Sequence, residues 1–128
     1  MNIPILIVAA VMSVAILGHV FIGTRETATL EPRAASGKPM ANWVQTMCAF
    51  QMLTIDLIVL TAALYWLALG EPGALARPLT LAIAGYFALQ GLLWLGHILW
   101  FSRPGASLLT LPHWAVWLGC AALLWWGA

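Results

Sequence analysis

The sequence is short of charge. Its 128 residues include five Lys or Arg and four Asp or Glu, a net charge of +1, against a hydrophobic share of 63%. A soluble domain of this length could not hide so much apolar surface, which excludes the soluble globular class. With so little net charge and no basic run, there is no reason to expect nucleic acid or an electrostatic membrane anchor. Cysteine is scarce too. Cys48 and Cys120 are about 10 Å apart in depth by helix rise, too far for a disulfide, and read as buried thiols. There is no HExxH, no CxxCH, no His pair at i, i+4, no Ser-His-Asp arrangement and no phosphate-binding glycine loop. No residue is marked as catalytic, and the reading leans away from an enzyme.

What the chain has is long hydrophobic runs. Four stretches, about 3–23, 43–69, 78–101 and 108–127, are each about 20 residues or more, enough to cross a hydrocarbon core of roughly 30 Å. They predict an all-α integral membrane protein with a single transmembrane domain over 1–128. The short Pro-Gly turns GEPGALAR and SRPGAS make it a four-transmembrane-helix, up-down antiparallel bundle. The first stretch opens MNIP without Lys or Arg and ends HVFIGTRE without an A-x-A-like cleavage site, so it is expected to stay as a helix. Asn42 is the expected N-cap of the second helix. Arg25, Arg33 and Lys38 in the first loop and Arg103 in the third outweigh Arg77 in the second, which places both termini outside. Trp43, Trp66, Trp100, Trp125 and Trp126 fall near helix ends, as interfacial indoles do. Trp94, Trp114 and Trp117 lie further in and need a packing partner or a ligand.

Polar residues are rare enough in these runs that their angular positions carry information. On the third helix Tyr86, Gln90, Leu93 and His97 share a stripe about 60° wide. On the fourth, His113, Trp117 and Cys120 share one face. Ala115, Gly119 and Ala122 lie opposite, a small-residue surface for a helix of the same chain or of another copy in a homo-oligomer. The first helix aligns Met12, Ala15, His19 and Gly23, and Glu26 joins them if α-helical geometry continues. The second carries Gln51, Thr54, Thr61 and Tyr65 on one stripe and Asp56 on another. Counted from the ends assigned to the inner side, His19 and His97 lie about 6 Å deep and His113 about 8 Å, one layer drawn from three helices.

Three chemistries could use these groups. Three neutral imidazoles, His19, His97 and His113, could ligate a transition metal, zinc or copper, or two of them a haem iron. The same residues could instead hydrogen-bond a small polar or lipid-like ligand, such as a quinone or a lipid headgroup, in a site lined by His19, Gln51, Tyr86, Gln90, Trp94, His97, His113 and Trp117. Asp56, the one carboxylate well inside a span, costs roughly 2.5–3.5 kcal/mol to insert. With Glu26 it is a candidate for proton or cation handling, the alternative being a neutral acid bonded to a neighbouring helix. Histidines near the interface can also simply reach headgroups. A small bilayer-embedded chain of this kind could equally be a non-catalytic accessory subunit of a larger membrane complex.

Four helices, with His19 near the end of the first, Glu26 shortly after it and Pro112, His113, Trp114 opening the fourth, resemble the small four-helix membrane proteins of bacteria. That resemblance implies a bacterial inner membrane. In size the chain is similar to the small multidrug transporters, which carry a Glu within their first helix where this chain has none. It is also similar in size to the four-helix glutathione-dependent membrane enzymes, whose Arg- and Asn-rich second helix is absent here.

Overall fold

Asn2 starts the first helix as a short amide can. Its Oδ1 accepts from the backbone N–H of Ile5 (3.3 Å), one of the donors that a helix start leaves unpaired. The structure, a computed structural model, describes residues 1–33, 36–101 and 106–128, and no strand occurs among them. Helix α1, Ile3–Leu17, continues through a π-helical turn, Gly18–Gly23, into α2, Thr24–Ala28. Helix α3 is Lys38–Leu69, and a 3₁₀ turn at Gly73–Leu75 leads into α4, Ala76–Phe101. Helix α5, Ala106–Thr110, precedes α6, His113–Gly127. Arg103, the expected third-loop cation, lies outside the described residues.

Among the described residues, three helical stretches are long and apolar enough to cross a membrane: Ile3–Ala28, Lys38–Leu69 and Gly73–Phe101. In each, only 22 to 28% of the most apolar window is buried within the chain. Large apolar side chains such as Ile55, Ile58 and Val59 on α3 and Leu89 and Leu92 on α4 stay uncovered. That much uncovered apolar surface is consistent with an integral membrane protein, with hydrocarbon as its solvent.

The fourth expected span, 108–127, is not one helix. Pro112 lacks an N–H and disfavours helical geometry at Leu111, so the helix stops at Thr110 and restarts at His113, leaving α6 with 15 residues. The other helices overrun their hydrophobic runs. The first continues to Ala28 and α3 begins at Lys38, so Asn42 is an interior residue whose carbonyl accepts from Thr46 Oγ1 (2.9 Å) and not an N-cap. Gly37, at φ 94°, makes the turn into α3, and Pro39 occupies the first turn, where an absent N–H leaves nothing unpaired.

Contacts sort the chain into two compact units, Met1–Val8 with Leu64–Ala128, and Ala9–Ala63. In the first, α4 packs on α6. Fully buried Phe87 meets Trp117 edge-on, with centroids 5.0 Å apart, and Trp94 lies against His113, so the two helices run antiparallel. Gly91 lets them approach. A Cβ there would stand 2.8 Å from Leu118 Cγ and 3.2 Å from its backbone nitrogen. Asn2 ties the other end of this unit, its Nδ2 donating to the Gly127 carbonyl (2.7 Å) and its N–H to the Ala68 carbonyl (2.9 Å). In the second unit the ring of Phe50 fills the space over Gly23, and Trp43 Nε1 donates to the Thr27 carbonyl (3.3 Å).

Candidate functional site

Within the first unit, α4 carries the polar groups. Tyr86 and Gln90 are one helical turn apart, and Gln90 Nε2 donates to Tyr86 Oη at 2.9 Å. His97 Nδ1 lies 2.8 Å from the Leu93 carbonyl. A carbonyl can only accept, so Nδ1 carries the proton and, in the neutral ring, Nε2 is an acceptor. The imidazole stacks on Phe101 one turn further on, with centroids 5.7 Å apart.

Beside these residues opens a cleft of about 470 Å³ lined by Gln90, Leu93, Trp94, His97, Ile98, Phe101 and Leu111. Its volume falls in the range of small-molecule sites, and among the described residues no lining side chain is charged. Trp94 lines the cleft, but its indole nitrogen is not exposed to it. Its indole Nε1–H is shielded from solvent and has no hydrogen-bond partner among the described residues, a state that costs on the order of 1–3 kcal/mol. The Trp94 ring rests on His113, with centroids 4.8 Å apart, so His113 braces one wall without lining the cleft. Trp117 is spent on packing against Phe87, and Tyr86 reaches the cleft only through Gln90.

The second unit holds a different arrangement. His19 sits in the π-helical turn, where the Thr24 backbone N–H reaches its carbonyl five residues back. The imidazole stacks nearly flat on Phe50, with centroids 3.8 Å apart, and Nε2 donates to the Phe50 carbonyl at 3.0 Å. Gln51 Nε2 donates to Thr24 Oγ1 (3.3 Å), Thr54 Oγ1 donates to Gln51 Oε1 (3.3 Å), and Thr24 Oγ1 donates to the His19 carbonyl (3.3 Å). His19 and Gln51 thus have partners inside the protein.

Glu26 does not fall on the His19 stripe that α-helical counting gives it. The extra residue in the π turn rotates the helix beyond it by about 100°, and Glu26 is exposed. Asp56 points outward from α3, exposed, with no side-chain partner among the described residues. Cys120 is buried, whereas Cys48, expected to be buried, is exposed, and both are free thiols. Among the described residues, no group of three or more His, Cys, Asp or Glu side chains is placed to hold a metal ion. The residues that sequence reasoning missed are the neighbours that decide what each polar group does: Phe50 for His19, Leu111 and Phe101 for the cleft, Thr24 for Gln51. Being apolar or on another helix, they leave no mark in a stripe drawn on one helix.

No protein-family model, curated protein or solved structure matches the chain. The geometry of the cleft therefore carries the functional reading.

Proposed function

We propose that this chain is a small bacterial inner-membrane protein, a four-helix up-down bundle with both termini outside, that binds or moves a small polar or lipid-like ligand in the cleft on α4. The observation behind this is a ligand-sized cleft, with no charged side chain among its described lining residues, onto which His97 brings a ring nitrogen, Nε2, left as an acceptor. His97 lies about 6 Å from the C-terminal end of α4, at the level where a ligand can keep a polar head near the interface and an apolar body in hydrocarbon.

The test is small-molecule retention by protein extracted from its membrane in native lipid patches. Wild type should carry a compound that the Gln90→Leu, His97→Leu double variant loses at unchanged expression. The same retained profile in both would sink the reading.

A second reading has its own observation. Ala115, Gly119 and Ala122 are uncovered on α6, and a Cβ at Gly119 would meet nothing within 4 Å. A small-residue face of this kind suits close approach of a further helix, in a homo-oligomer or as an accessory subunit of a larger membrane complex. Purification under mild detergent separates the two readings. A partner protein retained in fixed ratio favours the subunit, and a lone chain counts against it.

A further inference from the structure

Asp56 is the polar group that the cleft leaves unexplained. It stands on α3, about 4 Å from the midpoint of a 32-residue helix, so in a membrane it lies near the centre of the hydrocarbon. Its side chain is exposed and has no partner among the described residues. With a single methylene, it cannot reach headgroups roughly 11 Å away. A carboxyl group at that depth is costly unless something in the membrane meets it.

The residues around Asp56 are spaced to receive a helix. Gln45, Ala49, Met52, Asp56, Val59 and Ala63 alternate steps of four and three, the spacing of the seam between two coiled helices. The first five are exposed and Ala63 is half-buried, so the seam is largely uncovered. At 100° per residue it lies roughly 130° around α3 from Phe50, Leu57 and Thr61. That opposite face is occupied: Phe50 carries the His19 ring, and Leu57 and Thr61 are buried. Ala49 and Ala63, two turns to either side of Asp56, are small enough for a second backbone to come close.

We infer that a second copy of this chain covers the seam, in a parallel pairing that sets Asp56 against Asp56. A two-fold axis along the membrane normal brings each seam residue opposite itself at one depth. An uncharged carboxyl group both donates and accepts, so it complements its own copy: the O–H of each acid donates to the carbonyl oxygen of the other. A copy of the chain brings no fixed cation to this depth, because Lys and Arg occur only at 25, 33, 38, 77 and 103, at the ends of the spans or outside them. The contact is thus a hydrogen-bonded acid pair and not an ion pair. It is independent of the cleft reading, whose residues lie on other helices.

Energy transfer between donor- and acceptor-labelled full chains in lipid vesicles, followed as the protein is diluted into lipid, measures the pairing. Asp56→Leu should weaken it about tenfold, near the worth of a hydrogen bond between helices in a bilayer. Asp56→Asn, whose amide also donates and accepts, should stay within about threefold of wild type. A second measurement leaves Asp56 intact. In a Cys48→Ala background that keeps the buried Cys120, Val59→Cys on the seam should give a disulfide-linked dimer under mild oxidation. Ile58→Cys, also exposed but roughly 140° from the seam, should not. Equal linking at both positions, or a chain that is monomeric at every dilution, would overturn pairing on this face. Pairing unchanged in Asp56→Leu would overturn the role of the carboxyl group. Loss in Asp56→Asn as deep as in Asp56→Leu would overturn the acid pair, since it would show that the charge itself is required.

Discussion

His19 and His97 occupy comparable places in sequence, each near the end of a long apolar helix, and the structure treats them in opposite ways. The imidazole of His19 lies flat on Phe50 and gives its proton to the Phe50 carbonyl, with Thr24, Gln51 and Thr54 linked around it. His97 gives its proton to its own helix, at Leu93, and lines an open cleft beside the Trp94 ring. A histidine whose neighbours come from another helix holds that helix in place. One bonded only to its own backbone holds nothing and is free to meet a ligand. Position on a hydropathy profile does not separate these roles; the partner of each ring nitrogen does.

Five substitutions test that contrast. The largest effect belongs to the frame behind the cleft. Phe87→Ala removes a fully buried ring from between α4 and α6 and should cost about 3 kcal/mol, the low end for such a truncation because lipid, not water, receives the apolar surface on unfolding. Reversible unfolding in mixed micelles by SDS titration measures it, and a loss below half that value would mean that α4 and α6 are held elsewhere. Next is Gly91→Ala, whose Cβ would press on Leu118 and should cost about 1–3 kcal/mol, set against Gly119→Ala, which enters open space and should be neutral or slightly stabilising. Thermal unfolding followed by circular dichroism compares the two. Destabilisation by Gly119→Ala would show that another chain covers that face.

His19→Phe keeps a ring on Phe50 and loses one hydrogen bond, so it should cost about 1 kcal/mol and leave any cleft ligand bound as before. Slower amide exchange of residues 46–54 in wild type than in the variant would locate that cost on α3. Smallest is His97→Leu, which touches an exposed side chain and should change stability by less than about 0.5 kcal/mol while weakening retention of any cleft ligand. If His97→Leu unfolded the protein and His19→Phe did not, the assignment of structural and ligand-facing roles would be reversed.

Helical class and apolar runs were legible because composition alone decides them. Helix ends were not. The run-based start at Trp43 and end at Gly23 mark where hydrophobicity stops, whereas hydrogen bonding carries α3 back to Lys38 and the first helix on to Ala28. Pro112 was visible in the sequence, yet the apolar residues on both sides of it hid its effect, which is local backbone geometry and not hydropathy. Of the site, the Tyr86, Gln90, His97 stripe could be read from 100° spacing, and Gln90 does bond Tyr86 and share the cleft with His97. The link between Glu26 and His19 misled for one reason: a π turn adds a residue that no α-helical wheel counts. Trp94 stood out as an inner indole needing a packing partner or a ligand, but only coordinates could show that its N–H has no hydrogen-bond partner among the described residues.

The shortness of α6 has a consequence for the bilayer itself. In the four-helix arrangement proposed above, the fifteen residues of α6 extend about 22 Å, against a hydrocarbon thickness of roughly 30 Å, so about 8 Å of acyl chain beside this helix would go unmatched. Lipid would thin there, or headgroups and water would follow the Pro112 end inward. Leu111, next to that end, is also a wall of the cleft. In that arrangement membrane thickness becomes a variable of the site: longer acyl chains would deepen the dimple at its mouth, and shorter ones would erase it.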